Sequence, residues 1–186
     1  MPMLDNLRVA VIATDGVEEP ELAEPVSALR EAGAQTELLS VRSGQIQAVR
    51  HDLQPAQTFG VDKTLDQADP EAYDALLLPG GAVNADRLRM EPGVQSFIKQ
   101  INGAGKPMAV ICHAPWELVS SGLARGRTLT SYHTIQDDLR NAGATWVDRE
   151  VVVDGNLVTS RQPGDIPAFT REMLSLFAVA RSGSAG

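Results

Sequence analysis

Stretches of apolar residues alternate along the chain with stretches that have helical spacing. Four stretches predict parallel strands of a buried sheet, at residues 7–13, 36–41, 74–79 and 108–111. Apolar residues three and four apart predict helices at residues 20–33, 92–101, 114–122, 135–141 and 166–180. Strands that alternate with helices in this way predict an α/β fold with a mostly parallel sheet covered on both faces.

Several shorter segments depart from this alternation. Residues 44–59 alternate between apolar and polar side chains and contain Gly, Gln and Pro, which predicts an antiparallel hairpin inserted into the fold. A short strand is predicted at residues 127–130. A second hairpin is predicted at residues 146–160, with a type I′ turn at Asp154-Gly155. The segment Pro79-Gly80-Gly81 is predicted to be a turn that precedes the helix at residue 92.

The composition limits both the size and the partners of the protein. A chain of 186 residues with 43% hydrophobic and 22% charged residues is expected to form one domain, residues 1–186, with a core at about residues 7–180 and a frayed tail at 181–186. A net charge of −8 and a pI near 4.8 argue against nucleic acid or an anionic membrane as the main partner. No apolar run approaches the ~20 residues of a membrane span.

The N-terminus and the cysteine content indicate the compartment. The first residues lack the basic start and long apolar stretch of a signal peptide, so a cytoplasmic location is expected. The single cysteine excludes an intrachain disulfide and a thiolate-cluster metal site, and it fits a reducing cytoplasm. The three histidines are scattered without a spaced partner, so no metal site is expected. The sequence implies no organic cofactor either.

Cys112 lies at the corner between a predicted strand and a predicted helix. The strand ends at Cys112, and Pro115 suits the first turn of the helix that follows. Such a corner has the geometry of a nucleophile elbow, with cysteine in place of serine. The N-terminus of the helix is expected to favour the thiolate over the thiol. A free cysteine is more often simply buried, and it is the strand-to-helix corner together with the resemblance described next that favours a catalytic role.

The segment Ala109-Val-Ile-Cys-His-Ala-Pro115 resembles the nucleophile segment of the ThiJ/PfpI superfamily, in particular its PfpI branch of intracellular proteases, protein deglycases and general stress proteins. The resemblance implies a flavodoxin-like three-layer sandwich with a mostly parallel sheet, as in class I glutamine amidotransferases. In such sheets, sites form beyond the carboxyl ends of the strands near a topological switch point. Further landmarks that match the family are Asp15-Gly-Val-Glu-Glu-Pro-Glu-Leu22, Leu78-Pro-Gly-Gly81, Arg125-Gly-Arg-Thr-Leu-Thr-Ser-Tyr132, Asp137–Asp148 and Val151–Arg161.

A glutamate in the loop after the first strand is expected to be the partner of the thiol. A carboxylate beside a thiolate is repelled by it, so one proton should be shared and a protonated carboxyl should donate to the sulfur. The glutamate that plays this part in the family aligns with Glu18, and Glu19 and Glu21 are close rivals. Chain position and the resemblance together favour Glu18 as the proton shuttle.

The resemblance implies roles for further residues around Cys112. The backbone N–H groups of Gly81 and His113 are expected to form an oxyanion hole. His113 is expected to pair with an acid from a neighbouring subunit of a homodimer or higher homo-oligomer. Asp86 stands at the position of that acid, where shorter family members carry Glu. Tyr132 matches a position that lines the substrate pocket, although a half-buried core tyrosine is nearly as good an interpretation.

Three functions from different classes are compatible with these residues. The first, which is favoured, is a stress-protection enzyme of the glyoxalase or deglycase type, in which Cys112 adds to a reactive carbonyl or an early glycation adduct and Glu18 moves the proton. The second is an intracellular cysteine peptidase with an intersubunit Cys112-His113-Asp86 triad. The third is a non-enzymatic redox sensor or chaperone, because an activated thiol oxidises readily. A glutamine amidotransferase is excluded, because no histidine follows His133.

Overall fold

The structure, a computed structural model, describes residues 3–183 of the chain. Its strands are β1 (Arg8–Ile12), β2 (Gln35–Ser40), β3 (Gln45–Arg50), β4 (Gln54–Gly60), β5 (Lys63–Thr64), β6 (Ala75–Leu78), β7 (Met108–Ile111), β8 (Thr128–Leu129), β9 (Thr145–Trp146), β10 (Val151–Asp154) and β11 (Leu157–Ser160). Its α-helices are α1 (Glu19–Glu31), α2 (Ala82–Leu88), α3 (Pro92–Gly103), α4 (Pro115–Ser120), α5 (Gln136–Asn141) and α6 (Ile166–Gly183).

A seven-stranded sheet passes through the molecule in the order β10-β11-β7-β6-β1-β2-β5. Neighbouring strands are parallel except for β10 and β11, the antiparallel hairpin at one edge. The longer parallel strands follow the spatial order β2-β1-β6-β7-β11, which is the 2-1-3-4-5 order of flavodoxin-like folds. The predicted fold class, a flavodoxin-like α/β sandwich, is therefore confirmed. The switch point lies between β1 and β6, where the direction of the strand order reverses.

The central strands contribute side chains to two cores, one on each face of the sheet, because successive side chains of a strand point to opposite faces. In β1, Val9 and Val11 contribute to the core under α1 and α6, whereas Ala10 and Ile12 contribute to the core under α3, α4 and α5. This double burial explains why the strands read as continuous apolar runs. The helices cover the cores with residues at helical spacing, Phe169, Met173 and Phe177 in α6 and Val94, Phe97, Ile98 and Ile101 in α3.

Helix α2 begins directly after the Pro79-Gly80-Gly81 turn and was not predicted from the sequence. This helix of seven residues has no side-chain N-cap. The buried side chain of Asn84 connects it to two neighbouring loops, since it accepts from the Thr14 N–H (2.8 Å) and donates to the Gly80 carbonyl (3.1 Å). Tertiary contacts rather than local propensity therefore stabilise α2, and no periodic signal revealed it.

Both predicted hairpins are present, with differences in detail. The inserted hairpin is formed by β3 and β4, as predicted. The second hairpin is shorter than predicted, because Trp146 belongs to β9, which pairs with β8 in a separate small sheet. The β10–β11 register leaves Gly155 and Asn156 as the two turn residues. Of these two, Gly155 alone has positive φ (57°), which is the type II′ pattern and corrects the predicted type I′ turn.

The ends of the described chain bear on two further expectations. Residues 181–183 continue α6, so this part of the predicted frayed tail is helical, and residues 184–186 lie outside the described residues. Between residues 3 and 183 no helix has the length and apolar character needed to cross a lipid bilayer. The cytoplasmic location and the homo-oligomer stay predictions.

Glu117, in the first turn of α4, is a buried carboxyl group outside the predicted site. Its side chain is 1% exposed, and neither carboxyl oxygen has a hydrogen-bond partner among the described residues. Burial raises the pKa of Glu117 well above its ordinary value of 4.5. As the pH rises past 4.5, the unfolded chain loses the Glu117 proton and the folded chain keeps it. The free energy of unfolding therefore falls as the pH rises from 4.5 towards the raised pKa of Glu117.

Replacing Glu117 by Gln is expected to stabilise the protein at alkaline pH. The amide has the same size and removes the linked proton, so the gain in the free energy of unfolding should exceed about 0.5 kcal/mol near pH 8 and shrink towards about pH 4. Urea denaturation across this pH range measures it. Glu24→Gln, at an exposed position of α1, is the matched control. A gain independent of pH would contradict the assignment.

Candidate active site

Cys112 follows β7 directly and has a left-handed backbone conformation, with φ of 66°. Its N–H donates to the carbonyl of Ser160 (3.0 Å), and its carbonyl accepts from the N–H of Tyr132 (2.8 Å). Residues other than glycine rarely adopt this conformation, and such strain concentrates at functional sites. The backbone at Cys112 therefore has the geometry of a nucleophile elbow.

The carboxyl group beside the Cys112 side chain belongs to Glu21, in the first turn of α1. Glu21 is fully buried, and a Cβ placed on Gly80 would overlap its Oε1 and lie 2.6 Å from the Cβ of Cys112. Glu21 lies one helical turn before Pro25 and two turns before Leu29, and both of these residues are buried. The inward face of α1 therefore directs this carboxyl towards the thiol.

The surroundings of Glu21 favour its protonated form. Burial raises the pKa of Glu21 well above 4.5, and the charge of Glu18 raises it further. Contacts with the Cys112 thiol and the Gly80 backbone act in the opposite direction. Neither carboxyl oxygen makes a hydrogen bond of full geometry with a described residue, so the effect of burial prevails. The site therefore contains a buried carboxyl group with a proton to donate.

The thiol of Cys112 is also protonated at rest. Burial raises the pKa of Cys112 well above 9.0, the Glu21 carboxyl raises it further, and the backbone N–H of Gly81 lowers it. Burial therefore opposes the effect expected from the helix N-terminus. The thiol must pass on its proton when it attacks.

Glu18 occupies a different place from the one expected. Its carboxylate accepts hydrogen bonds from the backbone N–H groups of His51 (2.8 Å) and Asp52 (3.1 Å) in the β3–β4 turn. Glu18 thus attaches the inserted hairpin to the loop after β1, and Glu21 takes the position against the sulfur. This corrects the choice among the rival glutamates. The helical spacing of Glu21 from buried residues of α1 was a usable signal.

The imidazole of His113 lies beside the thiol, with its Nδ1 3.2 Å from the Sγ of Cys112. Burial lowers the pKa of His113, and the charge of Asp52 opposes this effect. The imidazole is therefore neutral and suited to accept a proton. Its ring stacks on Tyr132, with the two ring centroids 4.7 Å apart. The structure thus brings Cys112, His113 and Tyr132 together.

Asp86 is exposed on α2, and no hydrogen bond or ion pair within residues 3–183 joins it to His113. The expected pairing involves a second copy of the chain, so the intersubunit triad stays a prediction. His133 is exposed and lies against the outer side of Tyr132, with ring centroids 4.5 Å apart.

A pocket of ≈ 350 Å³ opens beside the sulfur. Four residues other than glycine have positive φ between residues 3 and 183, and three of them, His51, Asp52 and Cys112, line this pocket. Sequence reasoning did not predict a site role for Asp52, and no pattern indicates one, because its position depends on the β3–β4 turn. No cluster of three His, Cys, Asp or Glu in the described part of the chain could hold a metal. The lining residues are Glu18, His51, Asp52, Cys112, Tyr132, Gln162, Pro163 and Gly164.

Replacing Gly80 by Ala is expected to reduce stability and separate the Cys112–Glu21 pair. The new methyl group would overlap the carboxyl of Glu21 and lie 2.6 Å from the Cβ of Cys112 and 2.8 Å from the carbonyl of Ile111. Overpacking against backbone should lower the free energy of unfolding by about 3 kcal/mol or more. Urea denaturation checks this value. Gly93→Ala, in α3 with open space around it, is the control and should gain up to about 1 kcal/mol.

The thiol of Cys112 lies at the carboxyl ends of the parallel strands, next to the loops of the switch point. Ligands bind at this place in open α/β sheets. These features define the class, a flavodoxin-like domain with a cysteine nucleophile elbow. Residues 7–176 match the model of the DJ-1/PfpI family. The chain belongs to this family, which confirms the resemblance.

Comparisons with individual proteins agree with this assignment. The chain is 41% identical to Deglycase TK1284 of Thermococcus kodakarensis over 170 residues, which cover 91% of this chain and 99% of the relative. It is 39% identical to General stress protein 18 of Bacillus subtilis over 170 residues, 91% of this chain and 96% of the relative. The crystal structure of Drosophila melanogaster DJ-1beta superposes with a TM-score of 0.83 at 27% identity and covers 97% of this chain and 98% of its own.

Proposed function

We propose that the protein is a cysteine-dependent enzyme that converts α-oxoaldehydes, or the early adducts they form with amines, into 2-hydroxy acids. The observation that supports this most is the buried neutral carboxyl of Glu21 against the Cys112 thiol. A relative that covers nearly the whole chain is named a deglycase. Glu21 takes the role of proton shuttle that the sequence analysis gave to Glu18.

The first step is the addition of the thiol to the aldehyde. The sulfur of Cys112 forms a bond to the aldehyde carbon, and the thiol proton passes to Nδ1 of His113, 3.2 Å away. Glu21 gives its proton to the carbonyl oxygen, which completes a hemithioacetal. When the substrate is an adduct of an amine, the carbon–nitrogen bond breaks as the sulfur adds. The leaving amine then takes the proton of Glu21, and the thiol proton again passes to His113.

The second step moves a hydrogen between neighbouring carbons. Glu21, now a carboxylate, removes the hydrogen of the former aldehyde carbon as a proton and returns it to the adjacent carbon, which gives a thioester. Water then adds hydroxide to the acyl carbon and a proton to Glu21. The carbon–sulfur bond breaks, and the sulfur regains its proton from His113. The sum is α-oxoaldehyde plus water to 2-hydroxy acid, with no external oxidant or reductant.

A peptidase is the second candidate, because the contact between His113 and Cys112 also suits a thiol nucleophile with an imidazole base. The acid of its triad, Asp86, would come from a neighbouring copy of the chain. This function predicts activity only in an oligomer that brings Asp86 to His113.

Turnover of methylglyoxal by the purified protein tests the proposal. Conversion to lactate should be followed by nuclear magnetic resonance, beside cleavage of an unstructured peptide. Lactate formation without peptide cleavage supports the carbonyl enzyme. Peptide cleavage that is lost in Asp86→Ala would instead support the peptidase. If neither substrate reacts while Cys112 is readily oxidised, the redox sensor is favoured.

A further inference from the structure

The pocket beside Cys112 has an unbalanced charge. Glu18 and Asp52 contribute carboxylates to its lining, and no lysine or arginine of residues 3–183 lines it. The carboxylate of Glu18 is already engaged by two backbone N–H groups. Asp52 uses its Oδ1 to accept from the N–H of Ala82 (2.9 Å), whereas its Oδ2 makes no hydrogen bond within the described chain. One carboxylate oxygen at the wall of the pocket is therefore available to a ligand.

The arginines that precede pocket residues are engaged with acids of their own. Arg50 donates from its Nε to Glu19 (3.0 Å). Arg161 is paired with Asp165 (2.8 Å) and with Asp148 (2.8 Å). These two guanidinium groups are thus occupied, and an anionic substrate would meet the carboxylates of the pocket lining.

The position of the Asp52 carboxylate is fixed from two sides. His51 and Asp52 both have left-handed conformations, with φ of 53° and 62°, and Glu18 binds both of their N–H groups. The side chain of Asp52 is fixed in turn by the N–H of Ala82, at the start of α2. Strained turns that are secured in this way typically serve a function. Here the turn places a fixed negative charge beside the nucleophile.

We propose that Asp52 is a specificity-determining residue that makes the pocket select substrates with a positive group, an ammonium or a guanidinium, over anionic ones. This inference rests on the proposed function for the identity of the substrates, namely carbonyl adducts of cationic amines. A fixed carboxylate in a cleft concentrates cations and repels anions, and the expected preference is about 10-fold or more at low salt. It should decline as salt screens the charge.

Modification of the thiol tests the charge preference without requiring turnover. Cys112 is the only cysteine of the chain, so thiol-specific reagents report on this pocket alone. Two methanethiosulfonates of similar size are compared, one with a trimethylammonium group and one with a sulfonate, and each rate is divided by that of the neutral methyl reagent. Asp52→Asn removes the charge but keeps an oxygen for the Ala82 N–H. Asp5→Asn is the control. It removes the same charge far from the pocket, near the amino end of β7, where Asp5 lies beside Lys106 and Pro107.

The ratio of the cationic to the anionic rate should be about 10 or more in the native chain and in Asp5→Asn, and it should fall several-fold in Asp52→Asn. A ratio near one in the native chain would overturn the inference. So would a high ratio that survives in Asp52→Asn, because the preference would then come from the net charge of the protein.

Turnover of matched substrates then connects the preference to catalysis. Three phenylglyoxals are compared, with a trimethylammonium group, no substituent or a carboxylate at the ring 4-position. Their kcat/KM values should decrease in that order, and Asp52→Asn should reduce the differences between them. No turnover of any member would contradict the proposed function, and the modification rates alone would then decide the role of Asp52. Turnover with equal kcat/KM for all three would contradict the role of Asp52 and preserve the proposed function.

Discussion

Methylglyoxal turnover by the Cys112→Ser variant is expected to fall by at least about 10⁴-fold, to the background rate. The serine hydroxyl is a far weaker nucleophile than a thiol, and the chain has no second cysteine to replace the first. Serine also lacks the polarisable sulfur that forms and leaves a thioester. Lactate formation by the purified variant is the measurement.

The variant should remain folded, because serine is close to cysteine in size and the elbow is anchored by backbone hydrogen bonds to Ser160 and Tyr132. A circular dichroism spectrum equal to that of the native chain is the control. If the variant retains a tenth or more of the native rate while lactate is the product, another group carries the reaction, and the account of the elbow fails.

Glu21→Gln is expected to lower kcat for methylglyoxal about 10²–10⁴-fold, the usual contribution of a positioned acid or base. The amide keeps the size and the neutral charge of the protonated carboxyl, but it neither gives up nor accepts a proton under these conditions. The loss should therefore appear in kcat rather than in KM. Steady-state kinetics at neutral pH measure both constants.

Glu18→Gln is the matched control, since it makes the same chemical change three residues away. Its amide oxygen still accepts from the backbone of the β3–β4 turn, where the carboxylate now binds His51 and Asp52. Of the two hydrogen bonds to the carboxylate, the amide keeps one and loses the other. The loss in kcat should nevertheless stay below about 10-fold, because this change costs turn stability and removes no proton donor at the sulfur. A larger loss in Glu18→Gln than in Glu21→Gln would restore Glu18 as the shuttle.

Most of the fold could be predicted because its signals are local. The central strands are buried on both faces and therefore read as apolar runs, and the helices carry regular apolar faces. The exception is α2 (Ala82–Leu88), whose sequence contains no N-cap signal. The buried hydrogen bonds of Asn84 stabilise this helix. Information of this kind lies in the tertiary structure, and a pattern within seven residues does not contain it.

The site could be predicted only in part. The elbow at Cys112 follows from the junction of a strand and a helix, so its position was visible in the sequence. The choice among three glutamates within four positions depends on the rotation of α1, which turns by about 100° per residue. That rotation places Glu21 inward and leaves Glu18 at the N-cap. The thiol was expected to have a low pKa because burial, which raises it, is not visible at a strand end.

The protonated carboxyl of Glu21 beside Cys112 can be detected directly by infrared spectroscopy at neutral pH. Glu117→Gln is the background, because Glu117 is a second buried neutral carboxyl. We expect a carboxylic acid C=O band that disappears when Glu21→Gln is added and shifts when Cys112 is alkylated. A spectrum without this band, or one in which the band is lost with Glu18→Gln and kept with Glu21→Gln, would contradict this expectation.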